Sequence, residues 1–221
     1  MRIEEVEWFQ AGRWVYVLVH CEDGTVGLGE GGIHGYPEAV GGVLQAWRSY
    51  LIGKDPLQIE HHWQFLYRNS HFRGAVIGSA LSAIDIALWD IAGKHFGAPV
   101  WQLMGGKCRD RVRLYMHVGG DGPDELAADA AAAVRDGFTA VRFTPFPANY
   151  PEMRYADLIQ AMIDRVAAVR ETVGNAVDLC VEIHRRLDPH HAAGLAQELA
   201  RFRPYFLEDP IVPDSVQRMG D

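Results

Sequence analysis

Cysteine is scarce in this 221-residue chain: Cys21, Cys108 and Cys180 are the only three, and no CxxC or CxxxC pair exists. That spacing argues against a zinc finger or a thioredoxin-like redox centre, and three free thiols fit a reducing cytoplasm. The formal net charge is −8 and no long basic run occurs, so nucleic acid is not expected as the main partner. The opening Met1-Arg2-Ile3-Glu4-Glu5 lacks the apolar core of a signal peptide. No stretch is expected to reach membrane-spanning length, so no membrane partner is expected and the chain reads as soluble and cytoplasmic. No GxGxxG follows a strand candidate, which leaves a dinucleotide-binding fold little support. What is present, 48% apolar and 23% charged residues, is ordinary globular usage with enough apolar material for a sizeable core.

The pattern along the chain changes near residue 105. Residues 1–30 read as antiparallel strands. Trp14 to His20 is rich in β-formers, and Asp23-Gly24 is a hairpin signal before Thr25-Val26-Gly27-Leu28. Helical spacing follows at 37–52 (Val40, Val43, Leu44, Trp47, Leu51), with Gly53 as its stop. Further helices are expected at 56–68, opened by Asp55-Pro56, and at 78–96, where Ala80, Ile84, Leu88 and Ile91 line one face. Strands followed by clustered helices imply an α+β domain over 1–110. Trp47, Trp63, Trp89 and Trp101 read as core.

After Gly105-Gly106, strand candidates at 111–117, 139–144, 177–184 and 205–208 alternate with helix candidates at 123–136, 152–173 and 189–201. Pro123 and Pro189 stand at helix starts, the second preceded by Asp188 as cap. This alternation implies parallel βαβ units over 111–221, as in a (β/α) barrel or a doubly wound sheet. Four strands would be half of an eight-stranded barrel. A fourth helix is expected to begin near Asp214 to Asp221.

Strand parity then separates two faces. In Val177–His184 the odd positions are all apolar, while Cys180, Glu182 and His184 point the other way. By the same rule Arg142 and Thr144, Glu208, and Tyr115 and His117 share that inward face. In a barrel they would collect at the C-terminal mouth, where catalytic residues sit. A single Glu at a strand end is ordinarily a solvated loop residue, and a lone His is usually structural. The convergence is what points to chemistry. Two carboxylates on adjacent strands suit a hard divalent cation such as Mg²⁺, and a His two residues away suits acid/base work beside it.

The stretch Ser79-Ala80-Leu81-Ser82-Ala83-Ile84-Asp85-Ile86-Ala87-Leu88-Trp89-Asp90-Ile91-Ala92-Gly93-Lys94, continuing through Ala98-Pro99-Val100-Trp101-Gln102-Leu103-Met104-Gly105-Gly106, resembles the signature of the mandelate racemase branch of the enolase superfamily. Glu182-Ile183-His184-Arg185 and Leu207-Glu208-Asp209-Pro210 resemble its first and second metal-ligand motifs. Within the branch the likeness is to acid-sugar dehydratases of the galactonate, gluconate and mannonate type. The resemblance implies an α+β capping domain over a modified (β/α) barrel, here a partial one. It implies Mg²⁺-dependent removal of the C2 proton of a sugar acid, an enediolate, and loss of the 3-hydroxyl to give a 2-keto-3-deoxy acid. The superfamily uses a Lys or His base with Mg²⁺.

By motif, Glu182 and Glu208 match metal ligands and His184 the general acid. Glu182 stands where most relatives have the shorter Asp. His117 and Arg142 resemble positions of the mannonate-type enzymes. Arg142-Phe143-Thr144 replaces the Lys-x-Lys pair of racemases and cycloisomerases, and Arg is too basic for an ordinary proton acceptor, which lowers those alternatives. Tyr150 and Tyr155 are remote candidates for the base. Gly32-Ile33-His34-Gly35-Tyr36 and His71-Phe72-Arg73 fall where family loops reach over substrate, making His34, Tyr36 and Arg73 candidate substrate contacts together with His117, Arg142 and Thr144. A small sugar acid and a homo-oligomeric assembly are the expected partners. The family's third ligand and His–Asp base pair are expected beyond Asp221. Two readings therefore stand: a portion of a dehydratase, or a non-catalytic piece that binds metal weakly or assembles with another chain.

Overall fold

The computed structural model describes residues 1–220. The chain forms two compact units, one spanning Met1–Asp110 and one beginning at Arg111. The first is an antiparallel sheet in the order β1 (Ile3–Ala11), β2 (Trp14–Cys21), β3 (Val26–Gly31). The Asp23-Gly24 signal makes the β2–β3 turn, with Gly24 at φ 84° and Asp23 Oδ1 accepting the Thr25 N–H at 3.0 Å. Val15, Val17, Val19 and Cys21 alternate into the core, each at most 2% exposed, as a sheet with one solvated face requires.

Helices α1 (Pro37–Leu51), α2 (Ile59–Asn69), α3 (Ala75–Phe96) and the short α4 (Val100–Leu103) follow. α2 begins three residues later than Asp55-Pro56 suggests. Asp55 folds a turn instead: its Oδ1 accepts the Leu57 N–H at 3.0 Å and its carbonyl the Gln58 N–H at 3.2 Å. α3, at 22 residues with a mean hydropathy of 1.6 over its most apolar window, is long and apolar enough to cross a membrane, contrary to the expectation that no stretch would be. Its apolar face is spent inside the unit, where Ala80, Ala83, Ile84, Ala87, Leu88 and Ile91 are buried. Trp47, Trp63 and Trp89 pack on this core, but Trp101 is 46% exposed, with Lys107 over its ring. Its helix is a single turn with no fully buried residue, Leu103 alone packing partly on the core.

The contact between β3 and α3 explains the signature. Gly27, Gly29 and Gly31 recur every second residue, about 6.6 Å apart on one face of the strand. They meet the carbonyls of Ala87, Ala83 and Ser79, which recur every fourth residue, about 6 Å apart along the helix. A Cβ at Gly29 would overlap the Ala83 carbonyl. The outer edge of β3 is covered too: Asp90 Oδ2 accepts the Leu28 N–H at 2.9 Å, and Lys94 Nζ donates to the Val26 carbonyl at 2.6 Å and to Asp90 Oδ2 at 2.7 Å. The signature residues Asp90 and Lys94 thus satisfy an edge strand that would otherwise be open to pairing.

The second unit is a parallel sheet in the order β4 (Met116–His117), β5 (Ala140–Phe143), β6 (Asp178–Glu182), β7 (Phe206–Glu208). The crossover helices are α5 (Pro123–Arg135), α6 (Tyr155–Val173) and α7 (Pro189–Leu199). It is a partial (β/α) barrel. Val141, Phe143, Leu179, Val181 and Ile183 pack under the helices with Leu126, Met162, Val166 and Leu195. Arg170 ties the N-terminal ends of the strands together by donating to the carbonyls of Gly174, Val177, Phe202 and Arg203.

The first strand is far shorter than 111–117. Only Met116 and His117 pair with β5, and Val112 and Leu114 are 70% and 66% exposed. Arg113 carries this segment instead, reaching Thr139 and Asp178 with its guanidinium. Pro213–Gly220 is a 3₁₀ helix where the fourth helix is expected, and Asp221 lies outside the described residues.

Gly29→Ala is expected to cost about 3 kcal/mol, because the overlap is with helix backbone that has nowhere to move. Gly42, inside α1 with open space at its Cβ, supplies the contrast: Gly42→Ala should be neutral or stabilising by up to about 1 kcal/mol. Urea unfolding of the two variants checks this, and equal effects would contradict it.

Candidate active site

The C-terminal ends of β5, β6 and β7 carry the site. Register settles which side chains meet: Arg142 stands level with Cys180, and Glu182 level with Glu208, one strand over and two residues further along. Both carboxylates therefore lie just above Arg142, within reach of a long side chain rising toward the mouth. Arg142 Nη2 lies 2.6 Å from Glu182 Oε1 and donates to Glu208 Oε1 at 3.0 Å, while its Nε donates to Glu208 Oε2 at 2.7 Å. Its Nη1 lies 3.1 Å from His117 Nδ1. Arginine can only donate, so His117 Nδ1 accepts and the ring proton sits on Nε2.

Two further donors meet Glu182. Thr144 Oγ1 donates to Oε2 at 3.3 Å, and the His184 ring donates through Nδ1 to Oε1 at 2.7 Å. The Arg142 and Glu182 side chains are 12% and 10% exposed, Glu208 34% and His184 65%. The site is thus graded from a dry ionic floor to an accessible imidazole. Burial pushes the Glu182 carboxyl up, but the His184 hydrogen bond and the Arg142 charge outweigh it, so the group is held below its ordinary value. Arg142 is raised, chiefly by its hydrogen bond to Glu208. Burial also raises the Cys180 thiol, which suits a small apolar side chain beneath the charges.

Backbone strain fixes the strand ends. His184, Arg185 and Asp209 have φ of 57°, 57° and 43°, a left-handed conformation costing about 1–2 kcal/mol per non-glycine residue. Cross-links between the two loops hold it. Ile183 N donates to the Glu208 carbonyl at 3.0 Å, Arg185 N to the Asp209 carbonyl at 2.7 Å, and Arg185 Nε to Asp209 Oδ2 at 3.0 Å. Strand parity does not single out Arg185 and Asp209. Their place within the two ligand-like motifs, after His184 and Glu208, is the signal that could have found them.

Five of the residues picked by parity, His117, Arg142, Thr144, Glu182 and Glu208, are brought into one network, and His184 joins through Glu182. Tyr115 lies beside it, its ring 5.4 Å from that of His117. The remote base candidates are engaged elsewhere: Tyr150 packs on Phe146 with Arg186 over its ring, and Tyr155 on His191. In the first unit His34 and Tyr36 are exposed on the loop after β3, His34 in a shallow recess with Arg13, Trp14 and Glu30. Arg73 stacks on Tyr67 at 4.3 Å and lines a recess with Trp63 and Asp85. A larger cavity of about 720 Å³, between α7 and the segment after β7, is lined by Leu207, Ile211 and Ala192. It lies on the helix side of the sheet, away from the charged network.

A parallel (β/α) sheet with paired carboxylates and an imidazole at its C-terminal ends is a barrel-type arrangement whose side chains suit hard-cation or acid/base chemistry. Residues 6–105 match the mandelate racemase / muconate lactonizing enzyme N-terminal domain, and residues 125–221 the enolase C-terminal domain-like family. The chain belongs to the enolase superfamily, in its mandelate racemase / muconate lactonizing enzyme group. It is 36% identical over 223 residues to a D-galactonate dehydratase of Xanthomonas campestris pv. campestris, covering 98% of this chain and 57% of that one. It is 37% identical over 209 residues to that of Verminephrobacter eiseniae, covering 93% and 54%.

Among solved structures, an enolase from Agrobacterium radiobacter bound to Na and L-malate superposes with a TM-score of 0.90 at 31% identity, over 100% of this chain and 58% of that one. One from Pantoea ananatis with bound D-gluconate and Mg superposes with a TM-score of 0.89 at 28% identity, over 99% and 62%. The chain spans somewhat over half the length of the curated relatives it matches.

The lowered Glu182 carboxyl makes stability depend on pH in one direction. Its contribution is present in full above its ordinary value of 4.5 and drains away as pH falls through the lower folded value. Glu182→Gln should cost about 1–3 kcal/mol at pH 7, by removing charged hydrogen bonds from a buried pair. It should also flatten the fall in stability below pH 4.5. Urea melts between pH 3 and 7 check this, and an unchanged acid limb in the variant would contradict it.

Proposed function

We propose that this chain supplies the capping domain, over residues 1–110, and the first half of the active site, over 111–221, of an acid-sugar dehydratase. The reaction removes the C2 proton and the 3-hydroxyl of an aldonate to leave a 2-keto-3-deoxy acid. The observation that carries this reading is the level pairing of Glu182 and Glu208, with His184 hydrogen-bonded to the first. The dehydratase names of the curated relatives support the choice of reaction. D-galactonate is the first substrate to test, D-gluconate and D-mannonate the next. Free thiols at Cys21, Cys108 and Cys180 accord with a cytoplasmic setting.

The donor set suits a divalent cation in charge and hardness, since two carboxylates offer oxygens to one point. Arg142 Nη2 touches an oxygen of each carboxylate at 2.6 and 3.0 Å, so the two groups face a common cation. Glu182 and Glu208 would hold Mg²⁺. No cluster of three or more His, Cys, Asp or Glu side chains able to hold a metal occurs among the described residues, so Glu182 and Glu208 are the two ligands that those residues offer. When bound, the ion supplies charge stabilisation for the enediolate, worth several kcal/mol.

The chain's own residues do the rest. His184 is oriented through Nδ1 by Glu182, which leaves Nε2 to carry the proton that the departing 3-hydroxyl needs. Its 65% exposure leaves room for substrate against it. Arg142 and His117 offer N–H donors to substrate oxygens, and Thr144 steadies Glu182. His34, Tyr36 and Arg73 belong to the same reading as substrate contacts from the capping domain. The base for C2 is not supplied by Arg142, whose guanidinium stays charged.

Supplied with the remaining barrel strands, as a longer product or a second polypeptide, the chain should convert one of these three acids in a Mg²⁺-dependent way. Glu208→Gln should abolish turnover, and His184→Asn should lower kcat by about 10²–10⁴-fold. The 221-residue chain alone should give no 2-keto-3-deoxy product. Near-normal turnover in Glu208→Gln would overturn the ligand assignment, and metal-dependent turnover by the chain alone would overturn the division of the site.

A further inference from the structure

All four carboxylate oxygens of Glu182 and Glu208 already carry a donor. Glu182 Oε1 meets Arg142 Nη2 and His184 Nδ1, and its Oε2 meets Thr144 Oγ1. Glu208 Oε1 and Oε2 meet Arg142 Nη2 and Nε. A small divalent ion demands near-octahedral oxygens at about 2.0–2.1 Å and cannot share those lone pairs freely with a guanidinium. The charges make the same point. Two carboxylates and Arg142 sum to −1, so an incoming dication meets half the negative charge that the carboxylates alone would offer, with a fixed cation alongside.

Without any cation, two carboxylates at the same register, one of them buried, would repel each other at high cost. We propose that Arg142 is an internal counter-cation. It holds Glu182 and Glu208 together while no divalent ion is bound, and it gives up carboxylate contacts when one binds, which sets the site's cation affinity low. The proposal rests on the divalent-cation reading above. It makes Arg142 a positioning residue that competes with the ion rather than one that helps bind it. The released guanidinium keeps a partner in His117 Nδ1, 3.1 Å from Nη1, so the exchange leaves it a hydrogen bond at the rim of the mouth.

Mn²⁺ is the probe, titrated into the 221-residue chain by calorimetry and by the loss of its free electron-spin signal. The wild type should bind weakly and Arg142→Gln about ten-fold more tightly. Arg142→Lys keeps the charge and should stay within about three-fold of wild type. In the absence of metal, Arg142→Gln should melt below wild type, and Mn²⁺ should raise its Tm by more.

A second measurement needs no variant. The Nε–H of Arg142 should give a slowly exchanging, shifted NMR signal in wild type, and saturating Mg²⁺ should abolish that shift and protection. Equal or weaker Mn²⁺ binding by Arg142→Gln, Arg142→Lys binding as tightly as Arg142→Gln, or an Nε–H that stays protected while Mg²⁺ binds, would overturn the counter-cation and leave the metal site standing. No Mn²⁺ binding by wild type or Arg142→Gln would overturn the metal reading and the inference with it.

Discussion

Two carboxylates at the same level of adjacent parallel strands cannot both be ionised without a cation between them, and the mouth of the second unit is arranged around that constraint. Glu182 and Glu208 are placed side by side by the β6–β7 register. Arg142 arrives from β5 two residues lower and spans both. Everything nearby adjusts to this triad. Thr144 and His184 take up the remaining valences of Glu182, and His117 caps the far side of the guanidinium. The strand ends beyond it are bent into left-handed turns and clamped by Arg185 and Asp209. Buried charge seldom adds net stability over an apolar core of equal volume, but breaking a buried pair is costly. An ionic floor of this kind accords with the proposed function better than with a purely structural role.

The hydrophobic structure beneath is ordinary by comparison. In the second unit Val141, Phe143, Leu179, Val181 and Ile183 face the helices, so the same alternation that builds the core aims the polar residues at the mouth. In the first unit the analogous device is close approach. Glycines on every second residue of β3 admit the backbone of α3, and Asp90 and Lys94 close the exposed strand edge. The Ser79–Lys94 part of the signature is therefore explained by packing and edge protection.

Much of this was legible from residue pattern alone. Parity in 177–184 separates Glu182 and His184 from Val181 and Ile183, and the structure pairs the first two with each other. The alternation of strands and helices after Gly106 gives the parallel sheet, within one to three residues at most boundaries. Register was not legible, because no local pattern says which residue of β5 stands beside which residue of β6. Arg142 could thus be read as facing inward, but not as bridging both carboxylates. The first barrel strand is shorter than its residue pattern suggests because Val112 and Leu114 alternate like strand residues yet are exposed, with no strand partner among the described residues. The length of α3 is underread only at its start: the helix begins at Ala75 rather than at residue 78, and Gly74 precedes it with no capping side chain to mark the boundary.

The arrangement of the mouth depends on Arg142 and Glu208 acting as a unit. A double-mutant cycle with Arg142→Gln, Glu208→Gln and the double variant, read by urea unfolding in metal-free buffer at pH 7, measures that directly. Two charged hydrogen bonds at 2.7 and 3.0 Å predict a coupling of about 1.5–3 kcal/mol, with the double variant less destabilised than the sum of the single ones. Additivity within about 0.5 kcal/mol would mean that the bridge does not organise the site.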